Sequence, residues 1–186
     1  MYSLNDIKFN IDDLLCIVKG EKVQYDEAVN RICAIMTEAQ QHHNKMMFIG
    51  NGGSAGIAIH MTTDYLKNGN MITHSMHDPA TLTCLANDFG YELVFSKQIE
   101  YVAQKGDILV AISSSGNSPN IINAVEKAKK NGCSIITLSG FEKSNKIFSA
   151  GEVNFYVHSM SYGMVESIHQ MILQYIVDKF VSNEKD

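Results

Sequence analysis

The stretch FIGNGGSA at residues 48–55 joins a short apolar run to residues with helical spacing through glycines and a serine. Glycines let backbone N–H groups approach a phosphate without a Cβ in the way, and a helix N-terminus carries unpaired N–H donors. Ser54 adds a hydroxyl donor at the same place. The stretch therefore predicts a strand that passes into a helix through an anion-binding loop, here called the first loop (residues 51–55).

A second stretch of this kind follows further along the chain. Residues 107–112, DILVAI, are typical of a buried strand, and SSSGNS at 113–118, the second loop, leads into a new helix. One Gly/Ser-rich turn is a weak signal in α/β proteins, but two of them suggest one phosphorylated ligand held from two sides. The patterns disfavour a nucleotide, because GxxxxGK[ST] lacks its lysine and GxGxxG has Ala55 where its third glycine is due.

The composition is that of a globular chain. It has 186 residues, of which 45% are hydrophobic and 19% charged, so we expect a single domain over residues 1–186. The net charge of −5 gives no basic surface for nucleic acid or for an anionic membrane. The cysteines form no CxxC pair, and neither a signal segment nor a long apolar run is visible. We expect a cytoplasmic protein with reduced thiols and without nucleic-acid or membrane partners.

Apolar runs alternate with segments of helical spacing along the rest of the chain. Residues 4–19 and 22–42 are predicted helices separated by Gly20, and together form an N-terminal helical arm over residues 4–42. Residues 45–182 form a predicted α/β core with a parallel sheet covered by helices on both faces. Its predicted strands are 46–49, 71–76, 107–112, 134–138 and 153–157, and its predicted helices are 55–66, 79–85, 91–102, 119–131 and 162–181.

This arrangement locates the ligand site and raises the question of subunits. Both loops follow strands, so the ligand should lie at the carboxyl ends of the strands. The two helices of the arm each have an apolar face, and a sheet of this length does not need them to cover its own faces. They either pack on the same core or bury against a second subunit, and we favour the second subunit.

Four blocks resemble the SIS (sugar isomerase) phosphosugar-binding domain and, more narrowly, the phosphoheptose isomerases. They are GNGGSA at 50–55, CLANDFGYE at 84–92, AISSSGNSPNI at 111–121 and TLSG at 137–140. The resemblance covers nearly the entire sequence. It implies a three-layer α/β/α domain and a homotetramer with active sites at subunit contacts. It also implies aldose–ketose isomerisation of sedoheptulose 7-phosphate to a heptose 7-phosphate through an enediol, in the supply of activated heptose for a surface polysaccharide.

The resemblance also implies which residues bind the phosphosugar. The phosphate would be held by Ser54 of the first loop and by serines of the second loop, while Asn51 and Asp88 fall where the family contacts sugar hydroxyls. Helix capping is a compatible alternative for Ser115 and Ser118, because capping and phosphate binding use the same geometry. The full predicted substrate-binding set is Asn51, Gly52, Gly53, Ser54, Asp88, Ser113, Ser114, Ser115, Asn117, Ser118 and Gln174.

Proton transfer between adjacent carbons needs a base and an acid. His60 and Asp64 lie four residues apart on a predicted helix and share one face. In the family this pair is a histidine and a glutamate, and in several members both bind zinc. His60 and Asp64 are therefore candidate catalytic residues and candidate zinc ligands, although the carboxylate here is one methylene shorter.

The C-terminal helix departs further from the family. Where phosphoheptose isomerases have a glutamine and, eight residues on, a second histidine, this chain has Glu166 and Gln174. Glutamine cannot shuttle protons near neutral pH, so Glu166 is the predicted new base, and His169, one turn along, is the alternative. Zinc held by His60, Asp64, Glu166 and Gln174 is chemically feasible, but oxygen ligands weaken the preference for zinc. The competing reading is a non-catalytic SIS protein that senses a phosphosugar or regulates a partner.

Overall fold

The computed structural model describes residues 3–183, so the ends of the predicted domain, residues 1–2 and 184–186, lie outside the described residues. It contains helices and strands in alternation, with a 3₁₀ turn at Tyr91–Leu93. The strands are β1 Leu15–Val18, β2 Glu21–Val23, β3 Lys45–Ile49, β4 Ile72–Ser75, β5 Ile108–Ser113, β6 Ser134–Gly140 and β7 Val153–Val157. The helices are α1 Leu4–Asp12, α2 Tyr25–Gln41, α3 Gly53–Lys67, α4 Pro79–Phe89, α5 Val94–Val102, α6 Pro119–Lys130 and α7 Tyr162–Asn183.

Within residues 3–183 the strands form one seven-stranded sheet in the order β2-β1-β7-β6-β5-β3-β4. The five strands from β7 to β4 are parallel, which confirms the predicted parallel core. Each predicted core strand is present with bounds that differ by at most two residues. Since β3 and β5 are neighbours, both loops lie at one edge of the sheet.

The N-terminal segment is not wholly helical, and the predicted helix over residues 4–19 is wrong beyond Asp12. Residues 15–18 form β1, which pairs antiparallel with β2 and with β7. Gly20 is part of the hairpin turn, with φ of 88°, and does not stop a helix. The segment Leu15–Val18 is covered on both faces, so its continuous apolar run does not show strand alternation and imitates helical spacing.

Helices cover both faces of the sheet, which confirms the predicted α/β architecture. Alternate residues of each central strand point to opposite faces, as Phe48 and Met47 of β3 illustrate. Phe48 belongs to a core built with α2, α3 and α7, whereas Met47 belongs to a core built with α5 and α6. Within residues 3–183 no helix has both the length and the apolar character needed to cross a bilayer.

Two of the helices that pack on the Phe48 side of the sheet, α3 and α7, position the site. α3 begins directly after the first strand of the parallel core, and α7 packs alongside it. The Tyr65 hydroxyl of α3 donates to the carbonyl of Leu173 in α7 at 2.9 Å, and Gln170 of α7 lies against Met61 of α3. This packing carries the N-terminal turn of α7 to the start of α3.

Candidate functional site

A small cavity of about 120 Å³ lies where the first loop, the second loop and the start of α7 meet. The structure thus brings together most of the residues predicted to bind phosphate, and adds Glu166. The remaining predicted loop residues, Gly52, Gly53 and Asn117, flank the cavity along the same two loops. The lining residues are Asn51, Ser54, Ile112, Ser113, Ser114, Ser115, Ser118, Tyr162 and Glu166.

The first loop leaves backbone donors free at the start of α3. Gly52 has φ of 56°, a left-handed conformation that favours glycine, and it stands at the N-cap position without a side-chain cap. Its carbonyl accepts from the N–H groups of Ala55 and Gly56 at 3.0 and 3.1 Å. Across the described part of the chain, the N–H groups of Gly53 and Ser54 make no such bond. Those donors and the positive end of the helix dipole therefore face the cavity.

The second loop is closed by its own hydrogen bonds. Gly116 has φ of 63°, and its N–H donates to the carbonyl and to Oγ of Ser113 at 3.0 and 3.2 Å. The carbonyl of Ser114 accepts from Gly140 N–H at 2.9 Å. Ser118 occupies the N-cap position of α6, yet its side chain makes no capping bond. The capping alternative therefore does not use the Ser118 hydroxyl, which remains available to a ligand.

Ser114 gives the most direct sign of a ligand. Its side chain is buried and lines the cavity, and its Oγ has no hydrogen-bond partner among residues 3–183. A buried hydroxyl without a partner is costly, and native proteins rarely leave one unsatisfied. An oxygen-rich ligand in the cavity would satisfy it.

The Glu166 carboxylate lies against the backbone of Gly53, so that a Cβ on Gly53 would overlap the carboxylate oxygens. The N-terminus of α3 favours this negative charge through its dipole. Only glycine at residue 53 leaves room for the carboxylate. Glu166 is thus an ionisable group in the cavity, as predicted for a base.

His60 and Asp64 share a face of α3, as their spacing predicts, with His60 Nε2 3.4 Å from Asp64 Oδ2. Neither residue lines the cavity. Within residues 3–183 no three His, Cys, Asp or Glu side chains cluster as metal ligands. One nitrogen and one carboxylate do not make a zinc site, so the described residues of a single chain do not fit a resident zinc ion.

Two predicted contact residues lie outside the cavity. Asp88 is exposed on α4, where its carboxylate accepts from the side-chain amide of Asn87 at 3.0 Å. Gln174 donates to Asp178 on its own helix at 3.4 Å. Neither side chain is part of the group that the structure assembles around the two loops.

His169 is fully buried, which argues against the predicted role in proton transfer. Its Nε2 donates to the carbonyl of Ser139 at 3.1 Å, and burial lowers the pKa of His169 to about 4. A histidine with no exposed surface cannot exchange a proton with a substrate in the cavity. The geometry supports a structural His169 that joins α7 to β6.

Three further residues belong to the site although the sequence does not single them out. Tyr162, the first residue of α7, lines the cavity. Asn120 is buried and exchanges two hydrogen bonds with Asn51, and the Tyr91 hydroxyl donates to Asn51 Oδ1 at 2.9 Å. The only signal available was that Asn120 and Tyr91 fall inside the blocks at 111–121 and 84–92.

Comparisons with known proteins identify the family of this chain. The family model for the SIS domain matches residues 11–140. A phosphoheptose isomerase of Fusobacterium nucleatum subsp. nucleatum is 33% identical over 163 residues, covering 85% of this chain and 81% of the relative. A phosphoheptose isomerase of Nitratiruptor sp. is 38% identical over 144 residues, covering 74% and 76%.

Solved structures give the same result. The phosphoheptose isomerase of Neisseria gonorrhoeae superposes with a TM-score of 0.77 at 28% identity, covering 84% of this chain and 86% of that one. A phosphoheptose isomerase from Francisella tularensis, at 24% identity, shares the fold with a TM-score of 0.76 over 98% of this chain and all of its own. The chain therefore belongs to the SIS domain family and groups with the phosphoheptose isomerases.

Proposed function

We propose that this protein is a phosphosugar isomerase that interconverts sedoheptulose 7-phosphate and a heptose 7-phosphate. The observation that carries the proposal is the cavity between the two loops, with the Ser114 hydroxyl, which bonds to none of the described residues, inside it. The names of the relatives supply the substrate. The same names support a role in heptose metabolism.

The cavity suits the phosphate group of this substrate. Pockets for whole small molecules have volumes of roughly 300–1,000 Å³, whereas this cavity has about 120 Å³. The phosphate therefore occupies the cavity, and the sugar extends from it past Tyr162 and Glu166. The serines of the second loop and the free N–H groups of Gly53 and Ser54 donate to the phosphate oxygens.

Glu166 is the proposed base of the isomerisation. Its carboxylate takes a proton from C1 of the ketose while the carbonyl oxygen at C2 gains a proton, which yields an enediol. Return of a proton to C2 and loss of the C1 hydroxyl proton then give the aldose. Since His169 is buried, His60 is the remaining predicted acid partner, paired with Asp64.

We infer that the active form is a homo-oligomer, a tetramer by the family resemblance. Ile59 and Leu66 are about half exposed on α3, at 48% and 55%, and Met171 and Tyr175 are exposed on α7. Apolar side chains on neighbouring helices that face solvent favour a second copy. Across such a contact the His60–Asp64 pair would approach a substrate bound to another chain. Light scattering should give a mass well above 20.7 kDa.

We also infer a single domain and a cytoplasmic location. Both cores are built on one continuous sheet, which supports one folding unit. Among the described helices none is suited to span a membrane, and the proposed substrate is a phosphorylated sugar. Fractionation of cells that express the tagged protein tests the location.

The decisive experiment follows solvent deuterium. The protein is incubated in D₂O with sedoheptulose 7-phosphate, and NMR follows deuterium at C1, next to the carbonyl; unphosphorylated sedoheptulose is the control. Incorporation into the phosphate ester alone supports the isomerase. Binding without incorporation would favour the second candidate, a phosphosugar sensor. The buried His169 and the amide of Gln174 support this candidate, because neither side chain can transfer a proton to the substrate.

A further inference from the structure

Asn51 is held by an unusually complete set of hydrogen bonds. Its Nδ2 donates to Asn120 Oδ1 at 3.0 Å, and Asn120 Nδ2 donates back to Asn51 Oδ1 at 2.9 Å. The Tyr91 hydroxyl donates to the same Asn51 oxygen at 2.9 Å. These bonds join the first loop to the start of α6 and to the turn after α4.

The orientation of this amide pair is determined by the backbone. The N–H of Ile121 donates to Asn120 Oδ1 at 3.0 Å, and it also reaches the carbonyl of Ser118 at 3.1 Å. A backbone N–H can only donate, so the atom of Asn120 that faces it must be the oxygen. Asn120 is buried, at 2% exposure, and cannot turn its amide toward water. Its Nδ2 therefore faces Asn51 Oδ1, and the orientation of Asn51 follows.

This geometry determines what Asn51 offers to a ligand. A carboxamide has two acceptor positions and two N–H donors. Both acceptor positions of Asn51 are used, by Asn120 and Tyr91, and one of its N–H groups is used by Asn120. The group that remains is a single N–H, on a residue that lines the phosphate cavity.

We propose that Asn120 is a positioning residue that fixes Asn51 as a donor, so that Asn51 binds an acceptor oxygen of the phosphate. The proposal rests on the proposed function, because it takes the cavity to be the phosphate site. Asn120 acts through Asn51 and does not touch the ligand. Without Asn120, Asn51 loses two of its three hydrogen bonds and keeps only the one from Tyr91, so its N–H is less firmly aimed before binding, which costs affinity.

A double-mutant cycle tests this coupling. Asn51→Ala, Asn120→Ala and the double variant are compared with the wild type by calorimetry with inorganic phosphate. We expect Asn120→Ala to weaken phosphate binding roughly tenfold in the wild type, the effect of one hydrogen bond, and less than about twofold in the Asn51→Ala background. Equal losses in both backgrounds, or no loss in the wild type, would overturn the proposal.

Two further variants separate positioning from folding. Asn131→Ala removes the hydrogen bond from the Asn131 side-chain amide to the carbonyl of Ile99. Because Asn131 lies at the far end of α6, phosphate affinity should stay unchanged. Ile121 N–H keeps Ser118 as an acceptor in Asn120→Ala, so the helix start stays satisfied. If Asn120→Ala still fails to fold, Asn120→Ser replaces it, because a serine hydroxyl is too short to reach Asn51.

Turnover of sedoheptulose 7-phosphate by the same proteins distinguishes the two proposals. If the wild-type protein turns over the substrate and the losses in phosphate binding are additive, the role of Asn120 is overturned and the isomerase proposal is supported. Absent turnover with a non-additive cycle would overturn the isomerase and support the role of Asn120.

Discussion

The two loops that meet at the cavity differ in how far their own hydrogen bonds are already made. In the second loop, the N–H of Gly116 bonds twice to Ser113, and the side chain of Asn117 accepts from Lys146 N–H at 3.1 Å. In the first loop, Gly52 and Gly53 are exposed, and the N–H groups of Gly53 and Ser54 at the start of α3 have no backbone acceptor among residues 3–183. The second loop uses its backbone donors for its own closure, whereas the first loop keeps two backbone donors for a ligand.

This difference suggests a division of labour. Donors held rigidly before binding lose little entropy when the ligand arrives, so the second loop is suited to hold the phosphate. The first loop is held by the Asn51–Asn120 pair and carries the Glu166 carboxylate against Gly53. We therefore expect changes at the second loop to affect stability and binding, and changes beside the first loop to affect turnover.

The largest effect is expected from Glu166→Gln. If Glu166 is the base, the amide removes proton transfer and kcat for sedoheptulose 7-phosphate should fall by about 10²–10⁴-fold. Phosphate affinity should stay the same or increase, because a negative charge has left the cavity. Steady-state kinetics and calorimetry measure the two quantities separately.

A matched control for that charge is Glu126→Gln, on the exposed side of α6. It removes the same charge away from the cavity and should keep full turnover. Full turnover by Glu166→Gln as well would show that Glu166 is not the base and would leave Asp64 as the carboxylate to test.

The second prediction concerns pH and the histidines beneath the two loops. Burial lowers the pKa of His169 to about 4, below its ordinary 6.5. Between these two pH values the unfolded chain therefore binds a proton at His169 that the native protein does not bind. Above pH 6.5 His169 is neutral in both states and costs the native protein no stability. As the pH falls toward 4, protonation of His169 in the unfolded chain lowers the free energy of unfolding by on the order of 3 kcal/mol. His77, whose Nε2 donates to Gly50 O at 3.0 Å under the first loop, is half-buried, and burial lowers its pKa as well.

Chemical denaturation between pH 7 and 4 compares the two histidines. His169→Gln keeps a donor for the Ser139 carbonyl but does not titrate, so the free energy of unfolding should fall less steeply with acid than in the wild type. His77→Gln should flatten the dependence less. If His77→Gln flattened the pH dependence of the free energy of unfolding more than His169→Gln, burial would perturb the histidine under the first loop more strongly. The predicted order of the two histidines would then be wrong.

The third prediction pairs one glycine from each loop. In Gly116→Ala the new methyl meets the side chain of Asn145, which is buried and whose Nδ2 lies within hydrogen-bond distance of three acceptors, and the left-handed φ adds strain. We expect a loss of about 2–3 kcal/mol in the free energy of unfolding. In Gly53→Ala the methyl meets the flexible end of Glu166, so the carboxylate moves aside. Turnover should then fall while the unfolding midpoint stays close to that of the wild type.

Denaturation midpoints and kcat of both variants decide this pair. The comparison between the loops would be contradicted if Gly53→Ala unfolded more easily than Gly116→Ala. Gly56→Ala in α3, where an added Cβ meets nothing within 4 Å, is the control without a clash, and its unfolding midpoint should stay the same or rise because alanine favours the helix.

The features that could be predicted from the sequence are those encoded locally. The central strands are buried runs followed by glycines and serines, so β3, β5 and their loops could be found without a partner. The β1 strand could not, because it owes its conformation to pairing with Val153–Val157, far along the chain. Its apolar residues are equally compatible with a helix.

The same limit applies to the site. Spacing on one helix predicted that His60 lies beside Asp64, as it does in the structure, and the Ser/Gly patterns predicted the two loops that line the cavity. The partner of Asn51 is Asn120, in another element, and no periodicity connects the two. For His169, an apolar helical stripe indicates only that the residue is near the core. Its complete burial follows from the strand β6 that packs against it.

The smallest effect is expected from Ser114→Ala, which separates binding from folding within the second loop. Because Ser114 Oγ makes no bond in the described part of the protein, its removal should leave stability unchanged or slightly higher. Phosphate binding should weaken by about 1–2 kcal/mol, since a hydrogen bond to a charged group is lost.

Ser96→Ala is the converse control, because its buried hydroxyl donates to the carbonyl of Leu93 at 3.1 Å and lies outside the cavity. That variant should lose stability and keep its affinity for phosphate. If Ser114→Ala instead destabilised the protein without changing affinity, the second loop would be a structural turn, and the phosphate would have to be held by the first loop alone.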